Sequence, residues 1–225
     1  MGQYGLAGVL GYRVYNVTGR SMSEISPGRK LATEQRRGSI LQAARAVFAR
    51  QGYANTVVDD IATEAGIAKG TLYLYFPSKE QIYLAALLEE ARRLDADSRA
   101  AMSSASTWRD KLGAYLQVRL DYFEAHQDFL RIYMTEFRGM CMQGKALTAE
   151  FTHLVQEGEA QLAQMFAAAS ARGEIRPVDP ELAALTVSDM IRGLMERHLR
   201  NWGRPVGPDD AAFALDILCR SLQLN

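Results

Sequence analysis

Thr56–Gln81, TVVDDIATEAGIAKGTLYLYFPSKEQ, holds two short helical patterns separated by a glycine. In the first, Val58, Ile61, Ala62 and Ala65 fall at i, i+3, i+4 and i+7, the spacing that gathers apolar side chains on one helix face. Thr56 is the expected N-cap, with Asp59 three residues on as its capping-box partner. Gly66 supplies the backbone freedom a helix C-terminus needs, and Ile67 returns to the core. A second helix is predicted from about Ala68, with Leu72 and Phe76 on its core face. Pro77 stops it, because the residue before a proline is pushed out of the helical region. Ser78 with Gln81 forms another capping box that opens a long helix. Two short helices joined by a tight glycine turn make a helix-turn-helix, a shape that fits the DNA major groove.

The run GIAKGTLYLYFPSKE at residues 66–80 resembles the TetR family of bacterial transcriptional regulators. That family carries a G-hydrophobic-x-K-G-T-L-Y-x-Y-F-x-S-K-E pattern over its recognition helix and the cap that follows. The resemblance is specific from about Ala32 to Glu80, including Gly52-Tyr53, and is architectural beyond. It implies that Thr56 and Lys79 lie near phosphates, and that Lys69, Gly70, Thr71, Tyr73 and Tyr75 lie at the groove surface. Elementary chemistry suits those roles: lysine is a point charge for phosphate, hydroxyls bond phosphate or base edges, and glycine lets a backbone approach closely. Three positions depart from the pattern. Val57 stands where a second hydroxyl is common. Asp59 places a carboxylate where relatives carry a basic or neutral polar residue. Ala68 replaces a frequent serine cap, a loss of ~1 kcal/mol at typical cap values.

Charge is unevenly spread. The 225-residue chain has no formal net charge, with 26 basic and 26 acidic residues. Residues 29–79 nevertheless hold eight Lys or Arg against four Asp or Glu, and residues 80–225 hold sixteen against twenty-one. A basic head on an acidic body fits local phosphate binding beside a domain that need not touch DNA. The content of 48% hydrophobic and 23% charged residues is that of an ordinary globular protein. Cys141 and Cys219 form no disulfide framework or CxxC motif, which fits a reducing cytoplasm and buried, inert thiols. No apolar run reaches the roughly 20 residues needed to span a membrane, and residues 1–28 make a poor signal peptide. MSEISPGRK from Met22 resembles a typical start for the family, so the residues before it are read as an over-extended start or as residues added to the natural protein.

The first helix is predicted over Thr33–Gln51, packing through Ile40, Leu41, Ala44, Val47 and Phe48 and ended by Gly52. Arg36 and Arg37 are read as solvated charges near its start, with phosphate contact as the alternative. Downstream the pattern reads as helices at about 79–102, 107–125, 127–143, 146–172, 179–201 and 208–223. The resemblance assigns the last two to a dimer interface. Leu182, Leu185, Met190, Ile191, Leu194, Phe213, Leu215, Ile217, Leu218 and Leu222 are more apolar positions than one face of each helix needs. The middle helices are rich in large adaptable side chains, most of them core. Tyr122, His126, Tyr133, Phe137, Phe151 and His153 are the candidates for a ligand site, with Glu136 and Arg138 as further polar groups to test. His126, His153 and His198 match no metal-ligand spacing and accompany no nucleophile motif, so neither a metal nor a catalytic centre is expected.

The expected protein is all-α: a flexible arm at 1–28, a three-helix helix-turn-helix DNA-binding domain at 29–79, and a helical ligand-binding and dimerisation domain at 80–225. The resemblance implies a cytoplasmic homodimer without cofactors, and a repressor released from a pseudo-palindromic operator by a small apolar or amphipathic inducer. The alternative is a regulator that answers to cysteine oxidation, or only to its own concentration.

Overall fold

Pro27 opens the first helix, α1 (Pro27–Asn55). Proline suits that place because its missing N–H would be unpaired in a first turn anyway, and its φ is already helical. This start is earlier than the Thr33 expected from periodicity. The computed structural model describes residues 27–132, 146–199 and 208–223, so the arm expected at 1–28 lies outside the described residues except for its last two, which are helical. Gly52 breaks α1 with φ 76° and ψ 166°, a conformation that side chains with a Cβ avoid. The helix-turn-helix follows as α2 (Val58–Glu64) and α3 (Lys69–Tyr75).

The other elements are α4 (Lys79–Ser104), α5 (Trp108–Ala125), α6 (Gln127–Ile132), α7 (Ala146–Ala171), α8 (Pro180–Leu199) and α9 (Pro208–Leu222). All regular structure among the described residues is helical. Gln81 N–H donates to Ser78 Oγ at 3.2 Å, the cap read at the start of α4. Thr107 caps α5 by accepting from Asp110 N–H at 3.1 Å. The helix expected over 127–143 is described only as far as Ile132, and the breaks near Gly144 and at Gly203–Gly207 lie outside the described residues.

The chain divides into two compact units between Ala86 and Leu87, inside α4 rather than at its start. In the first, Ile40, Ala44, Val47 and Phe48 of α1 are buried with Ile61, Leu72 and Phe76. Phe48, Tyr53 and Tyr83 form an aromatic cluster with ring centroids 5.2 to 5.8 Å apart. In the second, Leu112, Leu116 and Phe123 of α5 share a core with Leu162 and Phe166 of α7, Val187 and Ile191 of α8, and Leu218 of α9. Helix α7 packs most extensively on α8, and α5 on α9. Leu182 and Leu185 of α8, and Phe213 and Ile217 of α9, are exposed on this single chain.

Candidate nucleic-acid interface

The turn between α2 and α3 is built by backbone chemistry. Ala65 ends α2, Gly66 takes φ 64°, and the amides of Gly66 and Ile67 donate to the carbonyls of Thr63 and Ala62 at 3.0 and 2.9 Å. That is a Schellman closure. It satisfies two carbonyls at the helix end and needs the left-handed conformation glycine allows. The chain then enters α3 through Ala68, an N-cap without a side-chain bond. Leu72 is fully buried and Phe76 nearly so, with Phe76 in extended backbone ahead of Pro77. These two side chains seat α3 on the core and turn its other faces outward.

On those outward faces Lys69 and Gly70 are exposed, and Tyr73 and Leu74 remain 44% and 57% accessible. Thr71 and Tyr75 are half-buried at the flanks. A Cβ built at Gly70 would meet nothing within 4 Å. The fold itself therefore makes no use of the missing side chain there. Lys69 Nζ lies 2.8 Å from Asp59 Oδ1, and Asp59 holds the ammonium above the ordinary lysine value. This pair was not anticipated; opposite charges ten positions apart on successive helices are the only sequence signal for it.

One expected role is redistributed, and Lys79 gains partners within the chain. Thr56 does not cap α2, because the N-cap is Val57, which has no side-chain cap bond. Thr56 is buried instead, and its hydroxyl donates to Gly52 O at 2.7 Å. That bond turns the hydroxyl back onto the glycine that interrupts α1, and the N-cap position falls one residue later, on a side chain with no polar group. Lys79 donates to Tyr53 O at 2.7 Å and to Thr56 O at 2.9 Å, with its ammonium 4.4 Å from the Tyr53 ring centre. In this structure Lys79 ties the first residue of α4 to the end of α1. Arg37 lies over the Phe76 ring at 5.2 Å, anchored on the domain rather than freely solvated.

Residues 40–86 match the bacterial regulatory proteins of the tetR family, and residues 105–220, just over half of the chain, match the tetracyclin repressor-like C-terminal domain. The chain belongs to the TetR family. Among curated proteins it is 34% identical over 114 residues to the HTH-type transcriptional activator FasR of Mycolicibacterium smegmatis, covering 48% of this chain and about half, 52%, of that one. It is 29% identical to the HTH-type transcriptional regulator RutR of Escherichia coli K12, over 68% of this chain and 70% of that protein. The structure of FadR from Bacillus subtilis, in complex with stearoyl-CoA, superposes with a TM-score of 0.66 at 22% identity, over 80% of this chain and 96% of that one. Family and relatives alike are DNA-binding transcriptional regulators.

The ligand candidates of this TetR-family chain separate into groups. Tyr122 and His126 come together at the C-terminal end of α5, which His126 caps: their rings stack at 4.1 Å, Tyr122 donates to Glu90 Oε2 at 2.8 Å, and His126 Nδ1 lies 2.8 Å from Tyr122 O. Phe151 on α7 is half-buried. His153 does not join Tyr122 and His126; it is exposed and sits 3.7 Å from Glu157 on the α7 surface. Tyr133 and Phe137, with Glu136, Arg138 and Cys141, lie outside the described residues. No three His, Cys, Asp or Glu side chains converge on a metal-binding geometry among the described residues, and no described helix is long and apolar enough to cross a membrane.

Proposed function

We propose that the protein is a cytoplasmic homodimeric repressor that binds a pseudo-palindromic operator through α3 and leaves it when a small molecule occupies the unit after Ala86. One observation carries the DNA-binding part. The side of α3 that bears Lys69, Gly70 and Tyr73 is exposed while Leu72 and Phe76 lock the other side into the core. Lys69 and the hydroxyls of Thr71 and Tyr73 supply phosphate and base contacts, and the bare backbone at Gly70 permits close approach. Thr56 bonds back to the end of α1, and Lys79 ties the start of α4 to the same place through its carbonyl contacts. The exposed apolar stripe of α8 and α9 supports a two-fold interface, which would present two recognition helices to successive major grooves.

Fold neighbours support a ligand-filled C-terminal unit without choosing the ligand: FadR was solved with stearoyl-CoA, and a regulator from Saccharomonospora viridis with choline. Release requires little energy, since weakening operator binding ~100-fold needs a coupling of about 2.8 kcal/mol. The oxidation alternative gains no support from Cys219. That thiol is buried, and desolvation pushes its pKa up, away from the reactive thiolate.

Fluorescence anisotropy on the protein's own upstream DNA and on a scrambled duplex, over a salt series, tests the reading. Tight sequence-dependent binding with a steep salt slope is expected. Tyr73→Ala and Lys69→Ala proteins should lose it while remaining dimers. Normal operator binding by either variant would place the recognition face elsewhere.

A further inference from the structure

Asp59 and Lys69 bring an acceptor and a donor to one point of the surface that carries α3. Asp59 is the second residue of α2 and Lys69 the first of α3, and the two side chains meet with Lys69 Nζ 2.8 Å from Asp59 Oδ1. Both are more than half exposed, at 58% and 54%. Among the described residues each forms an ion pair only with the other, and Asp59 Oδ2 takes no hydrogen bond. Tyr73, one turn along from Lys69, also acts on its charge. Stability does not account for the pair. An exposed ion pair contributes little, and the turn is already closed by the Gly66 and Ile67 amides and seated by buried Ile61 and Leu72. Phosphate binding does not account for it either. A polyanion is met best by unopposed lysines, and a carboxylate beside one of them repels phosphate and holds its partner back. What such a carboxylate can supply is discrimination, because a group that costs affinity everywhere is compensated only where a donor meets it.

The edges of the base pairs decide which donor that is. In the major groove a G·C pair presents guanine N7 and O6 as neighbouring acceptors and, beside them, the cytosine N4 amino donor. An ammonium with three donors suits the two acceptors, and a carboxylate next to it suits the amino group. An A·T pair presents an acceptor, a donor, an acceptor and then a methyl group. An ammonium there finds no two neighbouring acceptors, and a carboxylate that takes the adenine amino group is left beside the thymine oxygen.

We propose that Asp59 and Lys69 act as one unit that reads a G·C base pair in each operator half-site, Lys69 on the guanine and Asp59 on the cytosine amino group. This rests on the recognition role of α3 proposed above and names a base pair it prefers. Asp59 then sets specificity at the expense of affinity for DNA at large. Selection of sites from a random duplex library, with the bound DNA sequenced, tests the unit on the full-length protein and on its Asp59→Ala and Asp60→Ala variants. Asp60 is the neighbouring carboxylate and does not pair with Lys69, so its variant removes the same charge and leaves the unit intact. Wild type is expected to enrich a two-fold motif with G·C fixed at one position of each half-site. Asp59→Ala should enrich the same motif with that position degenerate, and Asp60→Ala should keep it fixed. Anisotropy on two duplexes that differ only there should show G·C preferred over A·T by at least ~10-fold in wild type and Asp60→Ala, and by about twofold or less in Asp59→Ala. A motif with no fixed G·C, a G·C preference that Asp59→Ala retains, or an equal loss in Asp60→Ala would overturn the unit and leave DNA recognition standing. No enriched motif with the wild-type protein would overturn the recognition role of α3, and this proposal with it.

Discussion

Substituting Gly70 by alanine isolates what the recognition helix offers to DNA from what it owes to its own domain. A Cβ at this position meets no atom of the chain within 4 Å, and Gly70 is an ordinary helical residue of α3. Gly→Ala in a helix is worth about 0.5–1 kcal/mol in favour of folding; near the lower figure is expected here, because residue 70 is second in its helix. The methyl group would stand between the α3 backbone and any surface that approaches it. Holding off one backbone N–H from a phosphate forfeits a charge-assisted bond of about 1.5–3 kcal/mol, roughly 10- to 150-fold in Kd. Thermal melting of Gly70→Ala should therefore show equal or higher stability, and anisotropy should show operator binding weaker by at least tenfold. Operator affinity within about twofold of wild type would refute close backbone approach. A lowered melting midpoint would refute the claim that the fold makes no use of this glycine.

Asp59→Asn frees Lys69 from its 2.8 Å partner, so DNA binding should tighten and the log–log salt slope steepen by about 0.9; an unchanged slope in a salt series would mean that Lys69 reaches no phosphate. Lys79→Met removes two carbonyl contacts and the ammonium over Tyr53. It should lower unfolding stability by about 2 kcal/mol in denaturant titration. Unchanged stability with a shallower DNA salt slope would give Lys79 back to the phosphate backbone. Phe213→Asp puts a charge on a side chain that is 65% exposed in the single chain. It should shift the mass by light scattering to the 25.0 kDa protomer, and a persistent dimer would move the interface off this part of α9.

The fold was legible wherever a residue type has one conformational use. Gly66 between two apolar periodicities read as a left-handed helix end because few other residues adopt φ 64°. Pro77 and Ser78 marked the stop of α3 and the start of α4 for equally local reasons. The errors fall where the deciding partner is distant or backbone-borne. Thr56 looked like a cap because a hydroxyl before a helix usually is one, yet the carbonyl of Gly52 takes it. The contacts of Lys79 with the carbonyls of Tyr53 and Thr56, 26 and 23 residues away, were not legible either, because a charge in a sequence names no partner.

The division of labour within α3 has an evolutionary meaning. Leu72 and Phe76 are buried and hold the helix in place, while positions 69, 70, 73 and 74 are exposed. If α3 reads the operator as proposed, substitutions at those four sites would change operator preference at little cost to the marginal stability that usually restrains change in a protein. Duplicated copies of such a chain can drift to new operators while inheriting an intact scaffold.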